Sequence, residues 1–192
     1  MSTCSEERML SLVRSMAKSE KIKLLALDVD GVLTDGGLFI GAEGESAKKF
    51  HAQDGMGITC ALRNGLLIAL ITGRQSKIVA SRAAELNVTE VYQGVKNKAQ
   101  LLTTLAEKHG LTLEEVAYMG DDLNDLPALV LAGLSCAPQN AVKEVKERVH
   151  YIAAASGGNG AVREIIEVIL RARGLWKQIV ADYIKEGQGD SQ

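Results

Sequence analysis

The 192-residue chain is long enough for one sizeable core, and its 46% hydrophobic and 24% charged residues are an ordinary globular balance. A formal net charge of -2 gives no electrostatic case for nucleic acid or an anionic membrane, and no apolar run approaches the ~20 residues of a membrane helix. Cys4, Cys60 and Cys136 are too widely spaced for a disulfide framework or a zinc site, and residues 1–20 lack the apolar segment of a signal peptide, so a reducing cytoplasm is expected.

Met9, Leu10, Leu12, Val13 and Met16 fall near helical spacing and predict a leading helix over 5–18. Lys21 to Leu27 predict a first strand, apolar without alternation from Leu24, as a strand covered on both faces would be. It ends in Asp28-Val29-Asp30-Gly31. Two short runs around Ala42-Glu43-Gly44 predict a β-hairpin, Gly36–Gly41 against Glu45–Phe50, leaving the acidic turn and able to project over it. Asp54 is a plausible cap for a helix with Ile58, Ala61 and Leu62 inward, ended by Asn64-Gly65. Leu66 to Ile71 predict a second strand ending in Thr72-Gly73-Arg74, followed by a helix over Ser76–Leu86. Val88 to Tyr92 predict a short strand, and Lys98 to His109 a helix. Val116 to Met119 predict a strand ending in Gly120-Asp121-Asp122-Leu123-Asn124-Asp125, with a helix to Leu131. Leu134 to Ala137 predict a strand, a helix follows from Ala141, and Tyr151-Ile152 predict a last short strand. Gly157-Gly158-Asn159-Gly160 reads as a loop before a helix over Ala161–Arg173. Trp176, Ile179, Val180, Tyr183 and Ile184 form an amphipathic stripe that packs either on its own core or on another subunit. Gly187 to Gln192 read as a polar, disordered end.

Strands alternating with helices predict an α/β fold: a Rossmann-like three-layer α/β/α arrangement with a mostly parallel sheet. With no repeat, linker or composition break, residues 1–192 read as one domain. In a parallel sheet the three polar strand ends share one edge, where open α/β sheets place their ligands. Carboxylates for a metal, a hydroxyl and backbone N–H groups for an anion, and a nearby cation, Lys98, together describe a phosphoryl site. Mg²⁺ held by Asp28, Asp121 and the Asp30 carbonyl would offset repulsion between a carboxylate nucleophile and a phosphate dianion. Asp28 would attack phosphorus. Asp30 would protonate the leaving oxygen and then deprotonate water. Thr72 and the Gly73 N–H would hold phosphate oxygens, and Lys98 would neutralise charge.

These four motifs, in this order, resemble those of the haloacid dehalogenase-like superfamily. The resemblance implies the same roles for Asp28, Asp30, Thr72, Lys98 and Asp121, with Asp125 behind them orienting Lys98 or metal-bound water, and Asp122 behind the ligands or capping. Over roughly residues 20–173, Asp28–Gly36, the hairpin, Phe50–Gly57, Ile71–Arg74, Tyr92–Lys98 and Gly157–Glu164 are similar to 3-deoxy-D-manno-octulosonate 8-phosphate phosphatases. That resemblance implies a phosphorylated sugar acid as substrate, in lipopolysaccharide synthesis. It implies no cap domain, and a homotetramer in which neighbours' hairpins and chain ends close each site. It implies substrate contacts from His51, Ala52, Gln53, Asp54, Gly55, Arg74 and Arg82. Many relatives carry a basic residue where this chain has Gln53, and some where it has Thr59. The reading of the residues leaves rivals: a phosphatase for another nonulosonate phosphate, or a receiver-type module that needs no Asp30.

Overall fold

The computed structural model describes residues 18–189. Six parallel strands form one sheet: β1 (Leu24–Leu27), β4 (Leu67–Ile71), β5 (Glu90–Tyr92), β6 (Val116–Met119), β7 (Leu134–Ala137) and β8 (Tyr151–Ile152). Their order across the sheet is β5-β4-β1-β6-β7-β8. β2 (Phe39–Gly41) and β3 (Gly44–Ala47) pair antiparallel as a separate hairpin, with a register shift at Phe39/Ile40. The helices are α1 (Ala52–Arg63), α2 (Lys77–Glu85), α3 (Lys98–Lys108), α4 (Leu126–Leu131), α5 (Lys143–Lys146), α6 (Ala161–Ala172) and α7 (Trp176–Gly189).

The sheet is buried on both faces because its central strands β1, β4 and β6 are apolar at every position. Leu25 and Leu27 of β1, with Ile68 and Leu70 of β4, pack into one core with α1, α2, α6 and α7. Leu24 and Ala26, with Ala69 and Ile71, pack into a second core under α3, α4 and α5. Side chains alternate between faces along a strand, so an unbroken apolar run serves both layers. The chain runs outward from β1 through β4 to β5, with α1 and α2 on the first face. It then returns to β6, on the far side of β1, with α3 and α4 on the second. A single crossover hand requires the face to change when the direction changes. The carboxyl end of β1 therefore lies where strand order reverses, the usual ligand position of such sheets.

Several boundaries differ from expectation. The first strand begins at Leu24, because Glu20 and Lys21 form a turn from which Ile22 and Lys23 lead into it. The helix expected from Ala141 shrinks to four residues, and the C-terminal helix continues to Gly189 where a disordered end was expected. The leading helix expected over 5–18 lies outside the described residues, apart from Lys18.

The stripe on α7 divides. Trp176 and Ile179 are buried on the chain's own core, with Trp176 between the guanidinium groups of Arg163 and Arg171, while Val180 and Ile184 remain exposed.

One contact joins the last loop to the first turn. Asn140 donates from Nδ2 to the Gly31 carbonyl at 3.1 Å and accepts the Gly157 N–H at 2.6 Å. A Cβ at Gly157 would lie 1.8 Å from that same carbonyl oxygen. Gly157→Ala should therefore destabilise the protein by ~2–3 kcal/mol, the scale of core overpacking, seen as a lower urea midpoint at an unchanged slope.

Candidate active site

Asp28 follows β1 directly, and its N–H still donates to Met119 of β6 at 3.0 Å. The chain then turns at Gly31, whose φ is +90°. A Cβ there would fall 2.0 Å from Asp121 Oδ2, so glycine lets the loop after β6 close on the turn after β1. Buried Thr34 holds the turn: its Oγ1 lies 3.4 Å from the Gly31 N–H and 3.3 Å from the Gly36 N–H, accepting from both.

Lys98 is the first residue of α3, behind the Asn97 cap. Its buried ammonium lies 3.0 Å from Asp28 Oδ1 and 2.5 Å from Asp125 Oδ1. Asp125 is fully buried and also accepts from Tyr118 Oη at 2.7 Å and from the N–H groups of Asp121 and Asp122 at 3.0 and 3.3 Å. Asp122 lies exposed beside them, capping the short turn Leu123–Asp125 through the Leu123 N–H.

Thr72 is buried at the end of β4, with its Oγ1 accepting the Arg74 N–H at 3.2 Å. Asp28, Asp30, Thr72, Gly73, Arg74 and Asp121 line one open cavity of about 260 Å³, with Gly36 and Leu38 of the hairpin stem and Asn124 opposite. Lys98 and Asp125 lie beneath its floor.

The charges do not balance. Asp28, Asp121 and Asp125 can bring one carboxylate oxygen each within 4.8 Å of the others, and Lys98 is the cation between two of them. Burial, then the Asp125 charge, pushes Asp28 up to about 6 despite Lys98. Burial, then Asp28 and Asp125, pushes Asp121 up to about 7. For Lys98, burial disfavours the ammonium, but Asp28 and Asp125 outweigh it and hold its pKa above the usual lysine value. A hard divalent cation fits such a donor set. The oxygens of Asp125 are already engaged by four donors, which leaves Asp28 and Asp121 to face such an ion, with the Asp30 carbonyl two residues beyond Asp28.

Residues 75–165 match the family described as haloacid dehalogenase-like hydrolase. A 3-deoxy-D-manno-octulosonate 8-phosphate phosphatase from Escherichia coli K12 is 46% identical over 159 residues, 83% of this chain and 85% of that protein. The chain belongs to the 3-deoxy-D-manno-octulosonate 8-phosphate phosphatase family. A crystal structure of the Moraxella catarrhalis member, in complex with magnesium, phosphate and KDO, is 40% identical with a TM-score of 0.86, covering 88% of this chain and 97% of that one. The cobalt-bound member from Haemophilus influenzae is 41% identical with a TM-score of 0.80, over 82% and 92% of the two chains.

The phosphatase family's substrate region is only partly gathered around the cavity. Arg74 lines it, but His51, Ala52, Gln53, Asp54, Gly55 and Arg82 do not. Asp54 is not a helix cap: α1 begins two residues earlier, with His51 in the cap position. Nor is Asp54 open to a substrate, being 1% exposed and accepting the Gly160 N–H at 3.2 Å and the Arg163 N–H at 2.7 Å. It clamps α1 to the N-terminus of α6. Arg82 pairs with Glu85 and lies over the Phe50 ring, against Gly55. His51, Asp54, Gly55 and Arg82 line a separate apolar crevice with Leu33 and Phe50. Ala52 and Gln53 are exposed at the start of α1.

Sequence reasoning missed Lys48, which pairs with Asp30, and Asn140, which holds the Gly31 carbonyl. Both partners depend on tertiary closure, and neither residue stands in a motif.

Folded Asp121 keeps its proton to about pH 7, whereas an ordinary aspartate releases it near 3.8. The folded state therefore binds more protons between those values, and stability falls as pH rises through them. Asp121→Asn should stabilise the protein in metal-free buffer by ~2 kcal/mol at pH 8 after allowing for screening, and by much less at pH 4.5. Urea titrations at the two pH values check this; equal midpoint shifts at both would contradict it.

Proposed function

We propose that this chain is a Mg²⁺-dependent phosphatase that hydrolyses 3-deoxy-D-manno-octulosonate 8-phosphate to the free sugar acid and phosphate. The observation that carries it is the meeting of Asp28, Asp121, Lys98 and Thr72 from four separate stretches around one opening. The Moraxella relative's complex with magnesium, phosphate and KDO supports the same reading. One domain over residues 1–192 would carry the whole reaction, as a step of lipopolysaccharide synthesis. We place it in the cytoplasm, with which the unpaired Cys60 and Cys136 agree.

Mg²⁺ held by Asp28, Asp121 and the Asp30 carbonyl supplies, when bound, the positive charge that lets an anionic nucleophile meet a phosphate dianion. Asp28 attacks phosphorus, forming an aspartyl-phosphate as the bond to the sugar oxygen breaks. The electron pair of that bond goes to the oxygen, and the Asp30 proton follows it, giving the alcohol. Asp30, now a carboxylate, takes a proton from water as the water oxygen attacks phosphorus, and Asp28 is released. Thr72 Oγ1 and the Gly73 N–H hold phosphate oxygens. Lys98 neutralises the transferring group while Asp125 fixes its position. Arg74, half-exposed at the rim, suits the substrate carboxylate. Neutral Gln53, where many relatives are basic, and Thr59, where some are, bear on the exact sugar acid and keep one rival reading, a phosphatase for another nonulosonate phosphate with the same site; the reaction class is unaffected.

The cavity needs a cover to exclude water. Leu38, Phe39 and Ile40 are 49%, 51% and 60% exposed on and beside the hairpin, an apolar surface that fits a second copy of the chain. We assign it to a homotetramer in which neighbouring hairpins and C-terminal helices flank each site. A Phe39→Glu/Ile40→Glu double variant should sediment as a smaller species than wild type and lose most of its turnover; an unchanged mass would remove the hairpin from the interface.

Phosphate release across a panel of sugar-acid phosphates, with and without EDTA, tests substrate and metal together. Preference for the 8-phosphate and loss of turnover with EDTA are expected; a single covalent phosphorylation with no further turnover would favour the receiver reading. Asp28→Asn should leave no turnover in a folded protein. Asp30→Asn should lower turnover by about 10²–10⁴-fold, the usual worth of an acid/base group, with phosphorylated protein detectable by mass spectrometry.

A further inference from the structure

Asp30 has a partner that the mechanism does not use. Lys48 follows β3, and its ammonium pairs with Asp30 Oδ1 and, at 2.9 Å, with Glu45 Oε1. The Lys48 side chain is 1% exposed and is not among the residues that line the cavity, whereas Asp30 is. Glu45 in turn accepts the Ser76 hydroxyl. Ser76 is itself fixed twice: its Oγ accepts the Val79 N–H as the cap of α2, and its N–H donates to Gln93 Oε1 at 2.5 Å. A continuous chain of charge-assisted contacts thus runs from the start of α2 through the hairpin to Asp30. The other carboxylate oxygen, Oδ2, lies 3.9 Å from Nε of Arg74, which lines the same cavity as Asp30.

This matters because Asp30 stands in a turn, past the last ladder hydrogen bond of β1. A carboxylate there has two free side-chain torsions, and proton transfer needs a heavy-atom separation of about 2.6–3.2 Å. Misplacement by about 1 Å is enough to cost about 10²-fold in rate. The Lys98–Asp125 pair performs this service for Asp28; among the described residues no backbone N–H does the same for Asp30.

We infer that Lys48 is a positioning residue for the proton-transfer steps, holding Asp30 Oδ1 from behind so that Oδ2 faces the leaving-group oxygen, with Glu45 and Ser76 holding Lys48 in turn. The inference rests on the acid/base reading of Asp30 given above. The hairpin thereby sets the geometry of its own chain's chemistry, in addition to any part it plays between subunits.

The test uses two leaving groups. An alkoxide needs its proton as the phosphorus–oxygen bond breaks; p-nitrophenolate departs without one. Single-turnover release is measured at saturating substrate, for the sugar-acid 8-phosphate and for p-nitrophenyl phosphate, with wild type, Lys48→Met, Lys48→Arg and Glu45→Gln. Lys48→Met should lose ~10²-fold on the alkyl phosphate and less than about fivefold on the aryl one. Lys48→Arg should recover most of the loss, and Glu45→Gln should show the same selective loss in smaller measure. Equal losses on both substrates in Lys48→Met and Glu45→Gln would reduce the contact to a structural anchor and overturn the inference. An alkyl loss that disappears at saturation would make Lys48 a substrate-binding group and overturn it equally. A wild type that rejects the sugar-acid phosphate defeats the substrate reading alone; the comparison then runs on whichever alkyl phosphate it hydrolyses.

Discussion

One buried ammonium shared by two carboxylates organises the site. Lys98 reaches Asp28 from α3 and Asp125 from the loop after β6, so three elements far apart in sequence meet at one nitrogen. An uncompensated charge in so buried a place would be costly, and removing one partner of such a pair leaves the others exposed to that cost. Yet the ammonium cannot satisfy the whole cluster, since Asp28 and Asp121 are still pushed up to about 6 and about 7. The protein therefore holds a deficit of positive charge at the carboxyl end of its central strand. Stability alone does not call for that arrangement; a reaction that brings a cation and a phosphate does.

Around that deficit the supports are mostly backbone and glycine. Gly31 lets Asp121 approach, Thr34 closes the turn behind Asp28 and Asp30, and Asn140 fastens the Gly31 carbonyl to the Gly157 loop. Asp54, lying beneath, ties α1 to the N-terminus of α6 through two N–H groups. These contacts place side chains without joining in the chemistry, and they explain why the loop after β8, which contributes nothing to the cavity lining, abuts the first motif.

The legible parts of the sequence were those whose signal is local. Leu24 to Leu27, Leu67 to Ile71 and Val116 to Met119 are apolar at every position, as strands buried on both faces are, and their polar ends marked the site directly. Lys98 and Asp125 were legible through motif order. Asp54 was misread because an aspartate near a helix start looks the same whether it caps its own helix or clamps another. The substrate region His51 to Gly55 was expected at the cavity because the family implies it; within one chain His51, Asp54 and Gly55 line an apolar crevice with Phe50 and Arg82, while Ala52 and Gln53 are exposed. Lys48 carried no motif signal, since its meaning comes from Asp30, eighteen residues earlier, meeting it in the fold beside its hairpin neighbour Glu45.

The Asn140 bridge also bears on how the protein is made. The turn that carries Asp28 and Asp30 is made before the residues that seat it, which are 98, 121, 125, 140 and 157. Between the synthesis of β4 and that of β6, β1 has only β4 beside it. An N-terminal half held in the cell without the rest would present one bare flank of its innermost strand together with an unneutralised acidic turn. Completion of the polypeptide is thus a precondition of catalysis, and a pause in synthesis before residue 116 is the interval in which this protein is most open to nascent-chain association.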